Sequence, residues 1–209
     1  MFKTALVKQS VSHPGERLLD LGCGTGTLTM IMAENEAELQ VVGVDTDPTT
    51  LEKAQKKLSS FGNRVSLQQG FAQQLPFKRD SFVIVVSSLF FHHLTKAQKI
   101  ETLKEIFRVL KLGGRLHIAD WGKTSSFVQQ VLFIVVQLLD RFETTQDSVE
   151  NALPKLIKDS GVTHIANRHF FDPIRHYPVI SGNQTMIVQL VLMNNRECII
   201  LTSQIKARE

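Results

Sequence analysis

Short apolar runs alternate with stretches of helical spacing through the first 120 residues of the chain. Arg17–Leu21 (RLLDL) reads as a strand that ends at glycines, and residues 27–34 read as the helix after it. Gln40–Asp45 (QVVGVD) predicts a second buried strand. Pro48 marks the start of a helix reaching about Phe61, because proline suits a first helical turn. Val65–Gln69 predicts a third strand, and residues 82–87 (FVIVVS), largely β-branched, a fourth. From Lys96 to Leu110, the positions Ile100, Leu103, Ile106, Phe107 and Leu110 recur at helical spacing on one face. Gly113-Gly114 reads as the helix C-cap, with residues 115–120 (RLHIAD) as a fifth strand. Strands alternating with helices predict a parallel sheet with right-handed crossovers and both faces covered.

After Asp120 the rhythm changes. Residues 125–141 predict a long apolar helix and residues 148–160 another, ended by Gly161; residues 162–170 and Thr185–Met193 read as late strands, while residues 194–209 show no readable pattern. No internal repeat or interdomain linker interrupts the chain, so residues 1–209 read as one domain, with a core over about 15–125 and final elements over about 126–209. The most apolar stretch, residues 127–139, holds three Gln and falls short of the roughly 20 residues that span a bilayer. It reads first as a helix buried against the sheet, and second as an apolar wall for a lipid-like molecule or a membrane-surface contact.

Composition narrows the classes. Of 209 residues, 24 are Lys or Arg and 20 are Asp or Glu, a surplus of four positive charges without any block that argues for nucleic acid. The two cysteines, Cys23 and Cys198, have no zinc-type spacing, and His164, His169 and His176 have no ligand spacing, so no metal is expected. Cysteine usage and a start without a secretory apolar run suggest the cytoplasm.

The sharpest feature is L-L-D-L-G-C-G-T-G at 18–26: a strand, a G-x-G-x-G turn, then a helix. A dinucleotide fingerprint needs its third glycine at position 27, which is Thr. A phosphate-binding loop ending in Gly122-Lys123-Thr124 would need glycine at 117, which is His. S-adenosylmethionine carries no phosphate, and its amino-acid end is a zwitterion. Asp20 before the loop suits its ammonium, and Asp45 at the end of the second strand suits two ribose hydroxyls.

These residues resemble the class I S-adenosylmethionine-dependent methyltransferases, and most of all the subgroup with the menaquinone and ubiquinone C-methyltransferases. The likeness runs through LLDLGCGTG at 18–26, VVGVDTDP at 41–48, QGFAQQLPF at 69–77, DSFVIVVSSLFFHHL at 80–94 and EIFRVLKLGGRLHIADWGK at 105–123. It implies a Rossmann-like, doubly wound, mostly parallel sheet of the seven-strand type, with helices on both faces. It implies S-adenosylmethionine as cofactor, with Gly22, Cys23, Gly24 and Gly26 forming the loop over Asp20. It places Asp45, Thr46 and Asp47 along the ribose, Phe71 and Ala72 beside the adenine, and Ser87 and Ser88 near the methionine end. Many relatives carry Asp where this chain has Phe71, and Pro where it has Leu112; they also have more residues ahead of the glycine loop.

His92 and His93 follow the fourth strand and Asp120 ends the fifth, at the sheet edge where ligands bind in such folds. They are the candidates for proton transfer, with helix capping, packing and turn formation as their structural readings. The sequence SSLFFHH lacks the Asn/Asp-Pro-Pro-aromatic clamp used on base amino groups, and neither cysteine has the context of a cytosine-attacking nucleophile. The expected activity is methyl transfer to a small apolar or aromatic acceptor. The alternatives are a non-catalytic cofactor-binding partner subunit and, more remotely, a nicotinamide dehydrogenase.

Overall fold

The structure, a computed structural model, describes residues 10, 13–121, 167–170, 185–193 and 198–206. Its strands are β1 (Arg17–Leu21), β2 (Gln40–Asp45), β3 (Val65–Gln69), β4 (Phe82–Ser88), β5 (Leu110–Trp121), β6 (Asn167–Phe170), β7 (Thr185–Met193) and β8 (Cys198–Lys206). Three α-helices lie between the early strands: α1 (Thr27–Asn35), α2 (Pro48–Leu58) and α3 (Lys96–Val109). The sheet order is β3-β2-β1-β4-β5-β7-β8-β6. β1 to β5 and β7 pair in parallel, while β8 runs antiparallel to both β7 and β6.

β1, β2 and β4 are apolar nearly throughout because both faces of that part of the sheet are covered, whereas the edge strand β3 (VSLQQ) alternates with exposed polar residues. Leu19, Leu21, Val42, Val44, Val85 and Ile118 pack with Leu103, Ile106 and Val109 of α3. The alternate residues Leu18, Val41, Ile84 and Val86 pack with Leu28, Met32 and Ala33 of α1 on the other face. Each such side chain contributes about 1.5–3 kcal/mol when removed from water. This period-two partition fixes which strand residues can reach the tips, where the site lies.

The helices begin as their sequences dictate. Asp47 caps α2 by accepting from the Thr49 N–H at 2.9 Å, with Pro48 in the first turn. Thr95 and Gln98 form a reciprocal capping box at the start of α3, each side chain bonding the other's backbone N–H. The expected continuation of α2 to Phe61 is instead a 3-10 stretch, Ser59–Arg64, broken by Gly62 with φ +57°.

One expectation needs correction. Gly113-Gly114 do not cap α3, since the chain is already extended at Leu110. They belong to a bulge in β5, where pairing steps from Phe82↔Leu110 to Ile84↔Arg115 and Gly113 takes φ +76°. The stretch without a readable pattern contains β8, which pairs antiparallel with β7 and β6. The helices expected at 125–141 and 148–160 lie outside the described residues.

Candidate functional site

The loops following β1, β2, β3 and β4 meet at one sheet edge. Gly22 and Cys23 each donate a backbone N–H to the carbonyl of Val44, at 2.9 and 3.0 Å, so the glycine loop turns directly over the end of β2. Gly22 has φ +70°, and a Cβ there would lie 2.5 Å from the Phe90 ring. Both the turn and the ring therefore demand glycine. At Gly24, φ is +54° and a Cβ would meet nothing within 4 Å, so the crest of the loop stands open.

Asp45 joins the loop to the tip of β2. One carboxylate oxygen accepts from the Gly24 N–H at 2.9 Å and the other from the Asp47 N–H at 3.1 Å. Each oxygen keeps a second lone pair, so the group can still accept two hydroxyl protons. Asp20 is buried and accepts from the Thr29 hydroxyl of α1 at 2.6 Å. This bond ties the strand to the helix beneath the loop, a link that the sequence pattern did not single out. Cys23 is buried, and its thiol is pushed far up, first by burial and then by the charges of Asp20 and Asp45. It is a packing residue of the loop rather than a nucleophile. Thr46 follows Asp45, and its carbonyl accepts from the Gln69 side-chain amide at 3.0 Å. Asp47 is engaged as the α2 cap; the Thr50 hydroxyl, above all, holds its carboxyl below the ordinary range.

Phe71 and Ala72 lie in the turn after β3. Ala72 is buried, whereas Phe71 is 67% exposed. Ser87 donates its hydroxyl to the Leu21 carbonyl at 2.9 Å, locking the end of β4 to the end of β1. The buried Ser88 hydroxyl has no hydrogen-bond partner among the described residues. The next residue, Leu89, holds φ +56°, a strained value for a bulky side chain, fixed by its N–H bond to the Ala119 carbonyl at 2.8 Å. An open glycine crest, a carboxylate with spare lone pairs and an orphaned hydroxyl suit a small polar nucleoside laid across the strand tips.

His92 and Asp120 are brought together. The ring Nδ1 of His92 lies 2.8 Å from one Asp120 oxygen, and the His92 backbone N–H donates to the other at 3.0 Å. Asp120 is buried, and the His92 side chain is 14% exposed. An ionised carboxylate beside Nδ1 favours the tautomer with its proton on that nitrogen, and in that neutral tautomer Nε2 is the acceptor. The His93 ring centroid is 3.9 Å from that of His92. Burial, then the neighbouring His92 charge, lower the His93 pKa, against weaker pulls from Asp120 and Asp45.

A family model described as "Methyltransferase domain" matches residues 18–114. The chain is 35% identical over 193 residues to a ubiquinone/menaquinone biosynthesis C-methyltransferase of Blochmanniella floridana, covering 91% of this chain and 70% of that protein. It is 30% identical to an uncharacterized methyltransferase of Synechocystis, covering 76% of this chain and 71% of that one. The chain belongs to the S-adenosylmethionine-dependent methyltransferases. Solved structures agree in fold. A SAM-dependent methyltransferase from Aquifex aeolicus superposes with a TM-score of 0.64 at 16% identity, over 97% of this chain and 89% of that one. The YcgJ protein of Bacillus subtilis gives 0.65 at 19% identity, over 99% and 98%. S-adenosylmethionine is accordingly the cofactor of this methyltransferase. Phe90 and Thr29 complete the site as contacts of Gly22 and Asp20.

Proposed function

We propose that the enzyme methylates a small apolar or aromatic acceptor, and that His92, oriented by Asp120, takes the acceptor's proton. The His92–Asp120 pair carries this reading, since two hydrogen bonds hold a buried carboxylate behind an imidazole at the sheet edge that bears the glycine loop. Relatives named for ubiquinone/menaquinone and demethylmenaquinone methylation, 34–35% identical, support an electron-rich ring as the acceptor. When bound, the cofactor supplies a methyl group on a sulfonium.

The residues divide the remaining work. Asp45 and the glycine loop would hold and orient the nucleoside, with Asp20 beneath the loop, Thr46 and Asp47 along the ribose edge, and Ser87 and Ser88 at the methionine end. Alignment of acceptor and donor can supply much of the rate, because displacement at the methyl carbon needs an in-line approach. Loss of the acceptor proton to His92 Nε2 would leave an imidazolium stabilised by Asp120. His93 would stand beside it as an uncharged partner. A single domain acting in the cytoplasm belongs to the same reading, and rests on composition and cysteine usage.

Reduced benzoquinones and naphthoquinones, incubated with the protein and S-adenosylmethionine, should gain one methyl group by mass spectrometry. His92→Gln should lower kcat by about 10²- to 10⁴-fold while cofactor affinity stays within about twofold. Undiminished turnover in that variant would remove His92 from the chemistry.

A further inference from the structure

Beyond β2 the sheet continues to β3, its edge strand among the described residues. An adenosine with its sulfur toward β1 and β4 and its diol at Asp45 must carry its base off the far side of the ribose, toward β3. The turn after β3 stands there, and it is held from several sides. Gly70 donates its N–H to the Asp45 carbonyl at 3.0 Å, Gln74 donates to the Phe71 carbonyl at 3.0 Å, and Phe71 and Gln74 form an isolated bridge.

On this fixed turn Phe71 turns its ring outward, 67% exposed, while Ala72 and Leu75 on either side of the Gln73-Gln74 pair are 4% exposed. Among the described residues it is the most exposed large apolar side chain, and it stands on a constrained backbone. The chemistry around it is also distinctive. Residues 69–79, QGFAQQLPFKR, contain no carboxylate. The acid that reaches this segment, Glu105, is already committed to the Leu75 N–H at 2.8 Å and to Arg108 at 2.7 Å. The side-chain acceptors of the segment are therefore the neutral amides of Gln69, Gln73 and Gln74.

We infer that Phe71 makes purine recognition rest on ring stacking rather than on a hydrogen bond from the 6-amino group, so that this enzyme tolerates substitution of that amine. The inference rests on the reading that the ribose lies at Asp45. Its physical basis is an asymmetry. A site built to accept an N–H rejects a ligand lacking it strongly, whereas stacking needs only a π-face and discriminates little.

Calorimetry on the full chain tests this with S-adenosylhomocysteine and its N6-methyl and N6,N6-dimethyl analogues, the last of which has no N–H to donate. Dissociation constants within about threefold of one another are expected, together with a parallel weakening of all three by about 5- to 100-fold in Phe71→Ala. Phe71→Trp should keep all three tight, and Phe71→Asp should favour the unsubstituted amine. A loss of tenfold or more for the dimethyl analogue in the unaltered protein would overturn the inference and assign the bond to Gln73 or a backbone carbonyl. Equal affinities in the unaltered protein and Phe71→Ala would overturn it as well. If S-adenosylhomocysteine itself gives no heat, the Asp45 crevice is the wrong site and the inference falls with it; normal binding of that ligand with rejection of the analogue sinks the inference alone.

Discussion

At the scale of single residues, Asp45 has two duties that a mutation separates poorly but a measurement separates well. It fastens the crest of the glycine loop through the Gly24 N–H, and under the proposed reading its remaining lone pairs take a diol. Asp45→Ala should weaken cofactor binding by about 1–3 kcal/mol, read by calorimetry, because charge-assisted hydrogen bonds are lost on both sides. Asp45→Asn should cost less, since an amide carbonyl still accepts. His93 gives a second prediction. Its pKa lies below the ordinary imidazole value because part of the ring is shielded from water and His92 stands against it. At neutral pH it is therefore uncharged. Replacing His92 by Gln removes a like charge and should move the His93 titration upward, whereas Asp45→Asn removes an attraction and should move it downward. Nitrogen-15 spectra of labelled histidines would follow both, and two shifts of the same sign would contradict the assignment of neighbours.

At the scale of elements, the loop between β3 and β4 is held by α3 as well as by bonds within its own turn. Arg108 donates to the carbonyls of Phe77 and Leu75 at 2.7 and 3.0 Å and pairs with Glu105 on two nitrogens, while Glu105 accepts from the Leu75 N–H. The Arg108 hydrogen bond, above all, holds the Glu105 carboxyl below its ordinary value. A carboxylate depressed in the folded state contributes stability that is fully present above its unfolded pKa and is lost as pH falls through the folded one. Arg108→Met should therefore lower the urea midpoint at neutral pH and flatten the dependence of stability on pH in the acid range, and an unaltered acid slope would show that the pair is not the source.

The same scale explains what was legible beforehand. β1, β2 and β4 carry apolar runs, the mark of strands buried on both faces, and β1 and β2 end in sequence at glycines and at Asp-Pro. Gly113-Gly114 misled because paired glycines after a helix usually end it, yet the turn out of α3 had already come at Leu110, and the glycines serve a bulge in the following strand. β8 was hidden because T-S-Q interrupts its apolar pattern, and an antiparallel strand between two others needs pairing partners that local spacing does not reveal. The His92–Asp120 bond spans 28 residues and depends on the β4–β5 register, in which Ser88 lies opposite Ala119. The residue types were readable from the sequence; their contact was not.

At the scale of the molecule, the sheet has two ends with different work. The Asp45 end carries strained Leu89, open Gly24, exposed Phe71 and the orphaned Ser88 hydroxyl, all features that a folded chain gains little by keeping. The opposite end carries the β5 bulge, with Leu112 62% exposed, and the Glu16–Arg115 ion pair at 2.7 Å. A ligand at the first end should stabilise the whole chain by mass action, about 2.7 kcal/mol at a hundredfold excess over Kd. Its local protection should be uneven. Hydrogen exchange with saturating S-adenosylhomocysteine should slow most at residues 22–26, 45–47 and 70–74, where backbone amides sit in the glycine loop, at the tip of β2 and in the turn after β3. Residues 110–114 should change only as much as global stability changes, because the bulge lies a full strand length from the ligand. Equal slowing at both ends would mean that the chain tightens as one body and that the crevice is not the seat of binding. Slowing confined to the first end would tie the strained and unpaired groups there to the cofactor they await.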